Sequence, residues 1–247
     1  MTSKLLKKIC GAFGYKLFDK NYVKNTRLCG ELTSLTIKKI LNYFFINNKI
    51  QSLVQIGAND GESFDELSYF IKNYSVKCIL VEPIIEHFKK LVQKYSQNQN
   101  ITLENVAICE ELEKKFLYSV KKDYINNYGD HANAISSFNI KHLLKHNIKK
   151  KHIEKIYIKS ISISELLKKY NLNTLDLFYV DAEGYDGEIV FNFLETSVEC
   201  KLIIFEYIHI KNELFKSLIY KLEKKNYKIL NINENLVCVN KDIKIEI

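Results

Sequence analysis

Glycine is scarce in this chain, eight in 247 residues, and two pairs of glycines enclose polar residues directly after apolar runs. The first pair lies in Gln55-Ile56-Gly57-Ala58-Asn59-Asp60-Gly61. Gly57 allows a sharp turn and close backbone approach to a ligand, and Gly61 permits tight packing where a helix begins. The second pair belongs to Val180-Asp181-Ala182-Glu183-Gly184-Tyr185-Asp186-Gly187, three acids on one loop. Carboxylates so placed act as general bases, metal ligands or acceptors for substrate hydroxyls. Helix capping accounts for Asp186 but poorly for all three. Between the pairs stands Val81-Glu82-Pro83, 21 residues past Gly61. Its carboxylate can accept both hydroxyls of a ribose, or is merely an acid ahead of a helix that Pro83 opens. In Glu104-Asn105-Val106-Ala107-Ile108, Asn105 and the small Ala107 suit an adenine edge, or form an ordinary turn. Phe205-Glu206-Tyr207-Ile208-His209 closes the series. His209 has the near-neutral pKa of a base, while Asp181 with Glu206 makes a carboxylate pair suited to Mg²⁺.

The elements that must position these residues alternate. Helical spacing is expected over 35–47, around Phe64, Leu67, Phe70 and Ile71, and from Ile84 to Tyr95. Buried strands are expected at 50–56, 77–81, 101–106, 175–180 and 201–208. Ser162-Ile163-Ser164-Glu165 is a capping box that opens a helix to about Tyr170. Helices follow at 187–195 and 212–225, and a helix near 139–147 sits between extended runs at 115–120 and 154–161. The tail, 227–232 and 236–240, reads as two strands. Strands alternating with helices imply an α/β fold, a mostly parallel central sheet with helices on both faces. Ligands of such sheets sit beyond the carboxyl ends of the strands, where every run above falls.

Taken in order, Val54 to Gly61, Val81-Glu82-Pro83, Asn105 to Ile108, Ile135-Ser136-Ser137-Phe138 and Asp181 to Asp186 resemble the FkbM family of S-adenosylmethionine-dependent methyltransferases, over about residues 50–210. Asp60 and Ala182 depart from residues common in that family. The resemblance implies a Rossmann-like class I methyltransferase fold and methyl transfer to an oxygen, often of a sugar or natural product. It assigns Gly57, Asn59 and Gly61 to the methionine part of the cofactor, Glu82 to its ribose, and Asn105 with Ala107 to its adenine. Asp181 is then the first choice of base, with His209 second and Glu206 beside them. The implied acceptor is a sugar hydroxyl of a glycan or lipid-linked metabolite.

Bulk properties narrow the alternatives. The loop spacing GxxxG departs from the GxGxxG of nicotinamide-dependent oxidoreductases. A net charge of +8 suggests polyanions, yet of 37 basic residues only Arg27 is arginine, so nucleic-acid readout is disfavoured. Lys141, Lys145, Lys149, Lys150, Lys151, Lys155 and Lys159, with His142, His146 and His152, are expected to form a solvated basic face. The sharper alternatives are contact with a phosphate-bearing acceptor or with lipid, or a non-catalytic polyanion-binding module. Six cysteines without paired spacing suit a reducing, cytoplasmic setting, and no apolar run reaches the roughly 18–20 residues of a membrane span. Met1 to Phe18 reads as a basic amphipathic helix, which leaves peripheral membrane contact open. The expected organisation is an N-terminal helical cap over 1–48 and one Rossmann-like domain over 49–247.

Overall fold

A computed structural model describes residues 35–47, 49–63, 65–111, 116–129, 132 and 135–243. The helix expected near the N-terminus, Cys10, Cys29 and Phe64 lie outside the described residues. Ile37–Ile247 forms one compact unit.

Its order is α1 (Ile37–Ile46), β1 (Ser52–Ile56), α2 (Ser68–Asn73), β2 (Lys77–Val81), α3 (Ile85–Tyr95) and β3 (Ile101–Glu104). There follow β4 (Ala107–Ile108), β5 (Phe116–Val120), β6 (Ser136–Ser137), α4 (Ile140–Lys145), β7 (Ile153–Tyr157) and β8 (Ser160–Ile161). The rest is α5 (Ile163–Lys169), β9 (Thr174–Val180), α6 (Asp186–Phe193), β10 (Glu199–Glu206), α7 (Asn212–Lys224), β11 (Tyr227–Ile232) and β12 (Asn235–Asn240).

Seven strands form the main sheet in the order β11-β12-β10-β9-β1-β2-β3. The pairs β3·β2, β2·β1, β1·β9 and β9·β10 are parallel, and β12 runs antiparallel between β10 and β11. This is the Rossmann-like class I methyltransferase architecture expected from the sequence. Val54, Ile56, Phe178, Val180, Ile203 and Phe205 pack with Leu166, Ile189, Phe193 and Leu218 of α5–α7. Their alternates Leu53, Leu80, Leu177, Tyr179 and Ile204 are equally buried, so the opposite face is covered as well. The buried sides of α1–α3 supply Phe44, Phe45, Phe70 and Leu91 there. Both faces being dry explains why these strands read as continuous apolar runs. Strand order reverses between β1 and β9, and the two glycine-bearing loops leave the sheet at that point.

Two differences from the sequence reading concern the site. The chain does not enter a helix at Gly61, because α2 begins only at Ser68. Asp60 folds the intervening turn, accepting from the backbone N–H of Glu62 and Ser63, and Asp65 accepts from Leu67 N–H. Gly61 serves another contact, since a Cβ there would stand 2.8 Å from Leu91 and 2.7 Å from Tyr95 of α3. The second difference is the excursion between β3 and α5. Here β5 pairs antiparallel with β6 and β7, and β4 pairs parallel with β8. This layer brings Ser137, Phe138 and α4 to the acidic loop.

Candidate active site

At the carboxyl ends of β1, β2, β9 and β10 lies a cavity of about 390 Å³. Gly57 sets one wall. Its φ is +81°, and a Cβ would stand 1.8 Å from the carbonyl oxygen of Asp181, so only glycine lets these two loops meet. Asn59, two residues on, is left-handed, with φ 48°. Its Oδ1, like Gln55 Oε1, is buried without a hydrogen-bond partner among the described residues, and both side chains line the cavity. Buried acceptors without donors are costly, which marks these two as positions where a ligand N–H or O–H belongs.

Glu82, after β2, is buried at the cavity wall. Oε2 accepts from Asn59 N–H at 2.9 Å and Oε1 from Ile84 N–H at 2.8 Å. The carboxylate is therefore held in one orientation while each oxygen keeps a further lone pair for a ligand hydroxyl. Burial pushes its pKa up to about 7, the two backbone donors oppose that, and Asp181 and Asp60 add to it. Beyond β3, Val106, Ala107 and Ile108 line the cavity with Pro83 and Ile84, an apolar slot for a flat ring. Asn105 is not among the lining residues; its amide donates to the carbonyls of Glu82 and Pro83 and braces that turn.

Asp181, Glu206 and His209 line the cavity together. Asp181 is accessible from the cavity, yet protein surrounds it closely enough that burial pushes its carboxyl up to about 7. The like charges of Glu183, Asp65 and Glu66 contribute. Burial, then Asp181, Glu183 and Glu234, push Glu206 up to about 8. His209 Nε2 lies 3.9 Å from Glu206 Oε2, and burial with neighbouring His142 and His146 lowers its pKa.

The acidic loop is shaped from inside. Asp186 is buried, and its oxygens accept from Ala182 N–H at 2.9 Å and Gly184 N–H at 3.1 Å. It thus organises the loop that precedes α6 rather than capping that helix. Ser137 Oγ donates to the Glu183 carbonyl at 2.8 Å, and Phe138 packs edge-on against Tyr185. The run Ile135 to Phe138 is therefore a support for the acids.

Two residues here, His142 and His146, read in the sequence only as part of a basic face. His142 of α4 is buried, with Nε2 2.9 Å from Glu183 Oε2. Its ring lies 4.5 Å from that of His209 and 4.9 Å from that of His146. The seven lysines of the basic segment are exposed, as a solvated face requires, but His142 and His152 are not. His152 stacks on Tyr124 at 3.8 Å. The spacing of His142 and His146, four apart, was the available signal. Among the described residues, the group whose donor atoms converge is His142, His146 and His209, which does not include the Asp181–Glu206 pair expected to suit Mg²⁺.

The family profile described as the methyltransferase FkbM domain matches residues 55–229. Among proteins of curated function no sequence matches. Solved structures with a similar fold include the methyltransferase FkbM from Methylobacillus flagellatus KT, 12% identical, covering 77% of this chain and 44% of that one, TM-score 0.44. A second is the fibrillarin of Aeropyrum pernix, solved with natively bound S-adenosyl-L-methionine, 10% identical over 76% and 66%, TM-score 0.37. A third is the precorrin-6y C5,15-methyltransferase of Geobacter metallireducens GS-15, 9% identical over 77% and 78%, TM-score 0.35. This chain spans less than half the length of the Methylobacillus chain. Among the described residues no helix is long and apolar enough to cross a membrane.

Proposed function

The chain belongs to the FkbM methyltransferase family, and from that premise we propose that it methylates an oxygen, the hydroxyl of a sugar in a glycan or related metabolite, with Asp181 as base. The observation carrying this reading is one cavity holding both halves of the chemistry. A pre-oriented Glu82 and two partnerless buried acceptors stand at the β1 and β2 ends, and an accessible acid at the β9 end.

S-adenosylmethionine, when bound, supplies a methyl group on a sulfonium, already activated for displacement. The protein's own task is then alignment and proton removal. Glu82 would accept from the paired hydroxyls of the ribose. Asn59 Oδ1 and Gln55 Oε1 would take N–H donors of the methionine part, and Val106 to Ile108 would enclose the adenine. Asp181 would receive the acceptor's proton on a carboxylate oxygen, with a pKa near 7 that suits base work at neutral pH. Glu206 and His209 would hold the acceptor.

Calorimetry should show S-adenosylhomocysteine binding and no NAD binding, with Glu82→Ala weakening the former at least about tenfold. Labelled cofactor supplied with lipid-linked and free saccharides of the host should yield an alkali-stable methyl ether. An alkali-labile ester, or label on protein or nucleic acid, would overturn the sugar-hydroxyl reading.

A further inference from the structure

We propose that His142, His146 and His209 form a site for a divalent transition metal, zinc by the chemistry of its donors, whose open coordination position faces the cavity. His142 lies in α4 and His146 directly follows that helix, so both imidazoles leave one face of it. His209 arrives from the turn after β10, and its ring meets that of His142 edge-on. One nitrogen from each of the three lies within 4.8 Å of the others. Zn–N bonds of about 2.0–2.1 Å in tetrahedral geometry place such nitrogens roughly 3.4 Å apart, a gap that ring rotation closes.

Gly184 lets the acidic loop pass close beside these rings, since a Cβ there would stand only 3.3 Å from His142 Nδ1 and 3.6 Å from His209 Cβ. The surroundings are those of a ligating histidine. Glu183 Oε2 engages His142 Nε2, which fixes the tautomer and leaves Nδ1 as the ligand. Glu183 is itself held through its carbonyl by Ser137 Oγ. Glu206 Oε2 stands 3.9 Å from His209 Nε2, a carboxyl beside the second of the cavity-lining rings.

Three imidazoles select against Mg²⁺ and Ca²⁺, which take oxygen ligands, and favour zinc over its neighbours by geometry and availability. Three protein ligands and an open fourth position mark a catalytic rather than a structural zinc site. His146 and His209 line the cavity, so that position opens toward the acceptor. On the methyl-transfer reading, on which this role alone rests, the acceptor hydroxyl would bind there. Its O–H bond would then break, the proton passing to Asp181 and the oxygen keeping the electron pair.

The test uses untagged full-length protein, stripped with chelator and titrated with Zn²⁺ and Co²⁺ by calorimetry, elemental analysis and visible spectroscopy. One metal per chain is expected, with the intense visible bands of four-coordinate Co²⁺. His146→Gln and His209→Gln should each weaken binding by about 100-fold or more, and Glu183→Gln by roughly 10–100-fold. S-adenosylhomocysteine binding, measured in parallel, reports that each protein is folded. No stoichiometric metal in wild type that still binds S-adenosylhomocysteine would overturn the metal site while leaving methyl transfer intact. Undiminished metal binding in both His146→Gln and His209→Gln would overturn it equally.

Discussion

A Cβ at Gly57 would press on the Asp181 carbonyl at 1.8 Å, in a backbone conformation of φ +81° that disfavours any side chain. Gly57→Ala is therefore expected to cost about 3 kcal/mol or more, since strain and overlap act together. It should also abolish S-adenosylhomocysteine binding. Urea unfolding reads the first effect, and an unchanged midpoint would show that the two loops do not touch. Asp181 offers a sharper kinetic prediction. A base works only when ionised, and its carboxyl is pushed up to about 7, so kcat/KM should rise with pH and level off above about pH 7. Asp181→Asn should lower the rate roughly 10²–10⁴-fold and erase that rise. If the rise survives in Asp181→Asn and vanishes in His209→Gln, the base is His209.

At the scale of elements, the capping box shows how local chemistry sets a boundary. Ser162 Oγ accepts from Glu165 N–H, and the Glu165 carboxylate accepts from Ser162 N–H, so α5 starts where the sequence places it. Ser162→Ala should cost about 1 kcal/mol. In a chain of this size that is roughly 2–4 °C in Tm, readable by scanning calorimetry. A shift under about 1 °C would mean the box contributes nothing net. Elements with long periodic patterns were legible in this way: α3, α7 and the buried strands fall within a few residues of expectation. The start of α2 was not. Leu67, Phe70 and Ile71 keep helical spacing, but Asp60 and Asp65 capture backbone N–H groups and delay the helix to Ser68. Of the site, Glu82, Asp181, Glu206 and His209 were legible because each stands at a strand end or in the turn directly after one. Asn105 was legible as a polar residue there, though not that its amide turns back to the Glu82 and Pro83 carbonyls. His142 and His146 were obscured by the lysines around them. Their partner His209 stands far along the chain, beyond the reach of spacing arguments.

Across the whole molecule, the recess that gathers these acids makes stability depend on pH in an unusual direction. Glu82 and Asp181 are pushed up to about 7, Glu206 to about 8, and burial with Asp181 and Glu206 raises Asp186 well above its ordinary value. An acid whose folded pKa is raised holds its proton more tightly when folded. Its contribution is complete below the unfolded value, near 4, and is lost as pH climbs through the folded value. For the fully buried Glu82 alone the span is roughly 3 kcal/mol. His209 and His152 oppose this, since their lowered pKa values let stability rise with pH up to about 6.5, but two imidazoles stand against four carboxyls. The ligand-free protein should therefore melt at progressively lower temperature from about pH 5 to pH 8, with Glu82→Gln flattening the decline. S-adenosylmethionine, which carries a sulfonium charge, should flatten it more than S-adenosylhomocysteine, which does not. Thermal melts at constant ionic strength, with and without each ligand, decide the matter. A melting temperature that stays level or rises across that window would show that the acids are ionised in the folded protein, and Asp181 would then lose its standing as a base tuned to neutral pH.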